Sequence, residues 1–129
     1  MDKVLTVNEY YDGPRLGIAE YNGIPHIYES EYDYSTETTG DTYWISLIGS
    51  DLYHLIMEDW EIWIRWETAF KSRKASRETH PALPIDRKRH DELKLIIGDR
   101  LKSDPNNRKL VRASFDGDIN NLFVKWQEV

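Results

Sequence analysis

The chain has 129 residues, of which 40% are hydrophobic and 31% charged, and it contains no cysteine. These values predict a single domain over residues 1–129 with a hydrophobic core, and they exclude disulfides, thiol catalysis and iron–sulfur clusters. No secretory signal opens the chain, and no apolar run approaches the roughly 20 residues of a membrane span. We therefore expect a soluble cytoplasmic protein with no membrane partner.

The net charge of −6 is unevenly distributed along the chain. Residues 1–70 carry 14 acidic and 3 basic side chains, whereas residues 71–129 carry 9 acidic and 14 basic ones. An acidic first half disfavours nucleic-acid binding there, because phosphate neutralisation requires a basic surface. The two halves either attract each other in the fold or orient a charged partner.

Four short segments before residue 50 have the composition and alternation of β-strands. Asn22-Gly23 is a strong signal for a tight hairpin turn, and Gly13-Pro14 marks another turn. The segments are predicted to form an antiparallel meander, and they are Val4–Tyr10, Arg15–Tyr21, His26–Tyr34 and Thr42–Ile48.

The longest run without glycine or proline spans residues 50–80, and its segment Asp51–Lys71 holds three of the five tryptophans. At about 100° per residue it forms a helix with one narrow polar stripe and a wide apolar arc. The stripe is predicted to face water, and it comprises Asp51, His54, Glu58, Glu61, Arg65 and Thr68. Leu52, Ile56, Trp60 and Trp63 are expected to lie against the sheet.

A second helix is predicted over about residues 85–102, followed by a hairpin of Lys109–Phe115 and Leu122–Gln127. The sequence thus predicts an α+β fold: an antiparallel sheet, made of the N-terminal four-strand meander and the C-terminal hairpin, packed by two helices at about 51–71 and 85–102.

Catalytic candidates lie on the first helix, at His54, Glu58 and Asp59. Asp59 falls towards the apolar arc, where desolvation would raise the pKa of a carboxyl and suit it to acid–base chemistry. The alternative is that Asp59 and Glu67 are structural acids paired with a neighbour, since buried charges are normally paired. His54 and Glu58 have a spacing that could ligate a metal, but such pairs arise by chance in charged helices, and we predict no metal and no cofactor.

A basic patch is predicted within residues 71–90, and it could hold phosphate, an acidic protein or RNA. The other interpretation is a solvated helix end facing the protein's own acidic half. The patch comprises Arg73, Lys74, Arg77, Arg87, Lys88 and Arg89.

Eight tyrosines and five tryptophans form an unusual share of so short a chain. Because these residue types are enriched in interface hot spots, we expect an acidic-aromatic surface that binds another protein, with a homodimer as one possibility. Its predicted binding residues are Tyr28, Tyr32, Tyr34, Glu29, Glu31 and Trp66. Replacing Tyr28 and Tyr32 by alanine is then expected to abolish partner capture without disturbing the fold.

The protein is accordingly interpreted as an interaction module, not an enzyme. The alternative is a small hydrolase or isomerase that uses the carboxylates and the histidine of helix 51–71. No nucleophile or nucleotide-binding motif occurs in the chain.

Overall fold

A computed structural model describes residues 1–33 and 38–129 of the protein, with the main chain alone at residues 32, 33, 38 and 39. The fold is α+β, as the sequence predicts, with a seven-stranded antiparallel sheet and two α-helices. The chain forms two compact units. Unit 1 comprises Met1–Gly49 and Leu101–Val129, and unit 2 comprises Ser50–Arg100.

Unit 1 contains the whole sheet, in the order β1-β7-β6-β5-β4-β3-β2. Strands β3 to β5 form the predicted meander, and β6 with β7 forms the predicted hairpin. The strands are β1 (Asp2–Lys3), β2 (Glu9–Tyr10), β3 (Pro14–Tyr21), β4 (Ile24–Asp33), β5 (Thr38–Leu47), β6 (Lys109–Asp118) and β7 (Asn121–Glu128).

The prediction of one continuous first strand over Val4–Tyr10 is wrong, because only β2 and an isolated bridge at Val4 are paired there. Thr6 explains the interruption: its hydroxyl oxygen accepts from the Ile18 N–H at 2.9 Å, in place of a main-chain carbonyl. The segment nevertheless joins the two ends of the sheet. The Val4 N–H donates to Leu122 O at 2.9 Å, and the Thr6 N–H donates to Ile18 O at 3.0 Å. The sheet therefore curls so that β7 and β3 share the same N-terminal segment.

The interior of unit 1 takes buried residues from both faces of the long strands, since the neighbouring Ile27 and Tyr28 are both buried and point to opposite faces. Its aromatic members contact one another edge to face, with ring centroids 6.2 Å apart for Tyr28 and Tyr43 and 5.5 Å apart for Tyr43 and Phe115. The fully buried aliphatic side chains include Ile18, Val111 and Val124.

Unit 2 contains α1 (Ser50–Lys71), a single 3-10 turn (Arg77–Thr79) and α2 (Arg87–Ile97). The bounds of α1 agree with the sequence prediction, and of its polar stripe only Glu58 is half-buried while the others are exposed. The α2 helix is shorter than predicted. Pro84 restricts its start, and Gly98, with φ of 53°, ends it in a conformation that favours glycine.

Within the part of the chain that is described, neither helix has the length and apolar character needed to cross a membrane.

Candidate functional site

A cleft of about 800 Å³ opens in unit 1. Three segments that are distant in sequence meet there: the turn between β2 and β3, the start of β5, and the end of the β6–β7 hairpin. We call it the acidic-aromatic cleft and define it by Tyr10, Asp12, Arg15, Asp41, Tyr43, Phe115 and Asp118. Its aromatic walls continue the buried ring cluster of the interior, so the walls are supported by the core.

Arg15 holds the walls of the cleft together. Its guanidinium donates to the carbonyl oxygens of Tyr11 and Asp12, both at 2.6 Å, and to that of Gly40 at 3.0 Å. It also donates to the Tyr43 hydroxyl at 3.1 Å. A guanidinium carries five N–H donors in a fixed fork. Two of the four hydrogen bonds go to the turn and two go to β5, so Arg15 links these two segments. Arg15 is therefore mostly occupied by the protein itself.

The three aspartates of the cleft remain open to a ligand. Asp12, Asp41 and Asp118 are exposed, and none of them makes an ion pair or a side-chain hydrogen bond with any residue in the described ranges. The Tyr10 side chain is 67% exposed beside them. An aromatic cleft with open carboxylates favours a cationic ligand, since cations are attracted both by carboxylates and by the faces of aromatic rings.

The binding residues predicted from sequence do not form this site. Tyr28 has no exposed surface, because its ring lies among Tyr43 and Phe115 and its hydroxyl donates to Thr6 O at 2.8 Å. Its predicted place on a partner-binding surface is wrong. Trp66 is likewise buried, and its indole N–H donates to the Thr79 hydroxyl at 3.0 Å.

The other predicted binding residues have different outcomes. Glu29 is half-buried, and its Oε1 accepts from the hydroxyl of Ser103 at 2.6 Å. Glu31 accepts from the Thr42 hydroxyl at 3.3 Å. Tyr34 and the side chain of Tyr32 lie outside the described residues. The acidic and aromatic character that the sequence indicates is thus found instead at the cleft.

The catalytic candidates on α1 are engaged with α2. Asp59 lies 2.7 Å from Nδ1 of His90, and Glu58 forms a two-pronged pair with Arg89 at 2.6 and 2.8 Å. Bonding to Arg89 holds the pKa of Glu58 below its usual 4.5, the opposite of the shift that a general acid needs near neutral pH. His54 is exposed. The catalytic interpretation of these residues stays a prediction.

We predict that the Arg89→Ala substitution will raise the pKa of Glu58 towards 4.5, because the guanidinium hydrogen bond is the largest cause of its depression. The carboxyl carbon chemical shift of Glu58, followed by NMR across pH, measures this change. Arg87→Ala is the matched control, since Arg87 lies 3.8 Å from Asp91 and makes no contact with Glu58. An unchanged titration midpoint in Arg89→Ala would contradict the assignment.

The same pair sets the sign of a pH effect on stability. The pKa of Glu58 is lower in the folded protein than its usual value, so the pair stabilises the fold above about pH 4.5. That contribution is lost as the pH falls through the folded-state pKa. Arg89→Ala should remove this pH-dependent contribution of the Glu58–Arg89 pair to the free energy of unfolding.

The predicted basic patch is partly used within unit 2. Arg89 pairs with Glu58 and Glu92, and Arg87 with Asp91. Arg73, Lys74, Arg77 and Lys88 are exposed and make no ion pair with a described residue. Anion binding by this patch stays a prediction.

Sequence reasoning identified the turn at residues 11–14, but it joined the last two strands through residues 116–118, which the structure places inside β6 with the hairpin turn at residues 119–120. It also did not connect the two regions, although each carries aspartate beside an aromatic residue. They meet in one cleft because the N-terminal segment bonds to both β3 and β7.

Comparison with known proteins gives no relative: no family model, curated protein sequence or solved structure matches the chain.

Proposed function

We propose that the protein is an interaction module that binds a basic segment of another protein in the acidic-aromatic cleft. The observation that carries this proposal is a set of three exposed aspartates, none of them paired with a described residue, around aromatic walls in a cleft of about 800 Å³. Such a volume lies in the range of clefts that hold small ligands or a few side chains of a peptide.

The charge of the cleft supports a cationic partner. The described lining residues of the cleft include three carboxylates and one guanidinium, and the guanidinium is bonded to neutral oxygens of the protein. Like-charge contact would therefore disfavour an acidic segment. The exposed Tyr10 and Tyr11 add apolar area at low entropic cost next to the carboxylates.

The test compares an octapeptide that alternates lysine and threonine with one that alternates glutamate and threonine. We expect the wild-type protein to bind the lysine peptide preferentially in isothermal titration calorimetry. The double variant Asp41→Asn/Asp118→Asn should bind it about tenfold more weakly, since each exposed charge contact contributes up to about 1 kcal/mol.

The matched control is Glu61→Gln/Asp99→Asn, which changes the net charge equally at exposed positions of unit 2. Its affinity should remain within about twofold of wild type, because neither residue lines the cleft and exposed charges are screened at physiological ionic strength. Equal binding of both peptides, or equal loss in both double variants, would refute the proposal.

A further inference from the structure

Neighbouring strands β5 and β6 pair along only part of their length. The pairing joins Thr42–Ile45 with Lys109–Arg112 and ends at the Thr42–Arg112 pair. Beyond it β6 continues to Asp118, and among the described residues it pairs there with β7 alone. The acidic-aromatic cleft opens where the two strands separate, since Gly40 and Asp41 line it on one side and β6 lines it on the other.

The main chain of β6 presents free hydrogen-bonding groups at this point. The Leu122 carbonyl of β7 accepts from the Val4 N–H, so the peptide groups of Leu122 point away from β6. In an antiparallel ladder such a residue and its opposite partner both direct their N–H and C=O outward. Gly117 lies opposite Leu122, and Phe115 lies opposite Val124. The N–H and C=O groups of Phe115 and Gly117 therefore point to the open side of β6.

Nothing in the described ranges uses these groups. No main-chain or side-chain hydrogen bond from a described residue outside the β6–β7 ladder reaches the main chain of Phe115 or Gly117. The opposing edge of β5 is different, because the Gly40 carbonyl already accepts from Arg15. A further strand at the opening would therefore pair with β6.

We propose that the basic segment binds as an added antiparallel β-strand along the Phe115–Gly117 edge of β6. This inference rests on the proposed function and specifies how the cleft holds its ligand. Main-chain hydrogen bonds to β6 would provide affinity, and alternate side chains would provide specificity, as in other cases of strand addition. The exposed Asp41 and Asp118, which line the cleft at this edge, favour lysine or arginine in the added strand.

The geometry fixes which residues of the ligand face the cleft. In a hydrogen-bonded antiparallel pair the two opposite side chains lie on the same face of the sheet. A ligand residue bonded to Phe115 through its main chain thus directs its side chain to the face on which Phe115 lines the cleft. If lysines enter the cleft, the lysine main-chain N–H groups are the ones that bond to β6.

The experiment uses three forms of the lysine–threonine octapeptide with the full-length protein: unmodified, N-methylated on the main-chain nitrogen of every lysine, and N-methylated on that of every threonine. Methylation removes a donor and adds bulk equally in the two modified forms. We expect lysine methylation to weaken binding more than tenfold, because about 1 kcal/mol is lost per hydrogen bond and the methyl groups obstruct the strand. Threonine methylation should change the affinity less than about threefold.

Hydrogen exchange provides a second readout on the protein. Binding of the unmodified peptide should slow exchange of the Phe115 and Gly117 amide protons, as new hydrogen bonds protect them. Any methylation result other than selective loss with the lysine form overturns strand addition but leaves the proposed function standing if the unmodified lysine peptide binds in preference to the glutamate peptide. If that preference is absent, both proposals fail.

Discussion

Replacing Tyr28 by phenylalanine is expected to lower the free energy of unfolding by about 1–3 kcal/mol, because a buried acceptor loses its donor. The Tyr28 hydroxyl donates to the Thr6 carbonyl at 2.8 Å in a region with no exposed surface. Burial also raises the pKa of Tyr28, so its hydroxyl stays protonated and able to donate. Chemical denaturation followed by tryptophan fluorescence measures the loss.

Replacing Tyr28 by alanine should lower the free energy of unfolding more than replacing it by phenylalanine does. Tyr28→Ala removes a ring that contacts both Tyr43 and Phe115 and leaves a cavity, which typically costs about 3–5 kcal/mol. This result would replace the expectation, drawn from sequence, that alanine at position 28 spares the fold.

The matched control for the hydroxyl is Tyr11→Phe. The Tyr11 side chain is 76% exposed, and its hydroxyl makes no hydrogen bond with a described residue. Its effect should stay within about 0.5 kcal/mol, as for most surface substitutions. If Tyr28→Phe were as stable as Tyr11→Phe, the Thr6 carbonyl would have to find another donor in the variant.

The alternating sequence pattern of β4 predicted only part of the position of Tyr28. Period-two alternation correctly placed Tyr28 on the opposite face of β4 from Ile27 and Glu29, but it did not say which face is interior. Both Ile27 and Tyr28 are in fact buried. A tyrosine can enter a core only where its hydroxyl finds a partner, and here the partner is the carbonyl of an irregular segment that sequence predicted as a regular strand.

The ends of the two helices differ in how well the sequence predicted them. The bounds of α1 were predictable from local sequence alone. Its 22 residues include no glycine or proline, and its polar side chains recur along one narrow stripe. The end of α2 was missed by several residues because the charged residues after Gly98 continue to suit a helix by composition. There a single glycine at φ of 53° decides the end.

The cleft was not predictable because its parts are joined by long-range pairing. Asp12 and Asp118 are separated by most of the chain, and they meet because the N-terminal segment bonds to both β3 and β7. Local propensity does not encode strand order. The turn at Asp12-Gly13 could be located from sequence, whereas Asp116 and Gly117 lie inside β6 and not in the predicted turn. That these two segments meet in one cleft could not be predicted.

Replacing Gly17 by alanine is expected to destabilise the fold strongly. Gly17 lies opposite Tyr28 in the β3–β4 pairing, and the Thr6 carbonyl crosses directly over it. A Cβ at position 17 would lie 2.7 Å from the Tyr28 hydroxyl oxygen and 2.9 Å from the Thr6 carbonyl carbon, and closer still to the Thr6 oxygen. Main-chain atoms cannot move aside as a flexible side chain can, so the free energy of unfolding of the variant should fall by about 3 kcal/mol or more.

Gly40→Ala is the matched control, since a Cβ there meets no atom of the described residues within 4 Å and Gly40 has no positive φ. It should be neutral or slightly stabilising, by up to about 1 kcal/mol through reduced entropy of the unfolded chain. Denaturation curves of the two variants, measured side by side, compare the same chemical change in a crowded and an open environment. Equal stability of the two would contradict the close approach of Thr6 to β3.

The double variant Gly17→Ala/Tyr28→Phe tests whether both residues act through the same contact. In Gly17→Ala the Tyr28 hydroxyl has to move away from the new methyl group, and its bond to the Thr6 carbonyl is then lost or weakened. Removing the hydroxyl should therefore add little further destabilisation, so the two losses should sum to more than the loss in the double variant. Such non-additivity is expected only for residues that share a partner. Strict additivity would mean that Gly17 and the Tyr28 hydroxyl contact the Thr6 carbonyl independently.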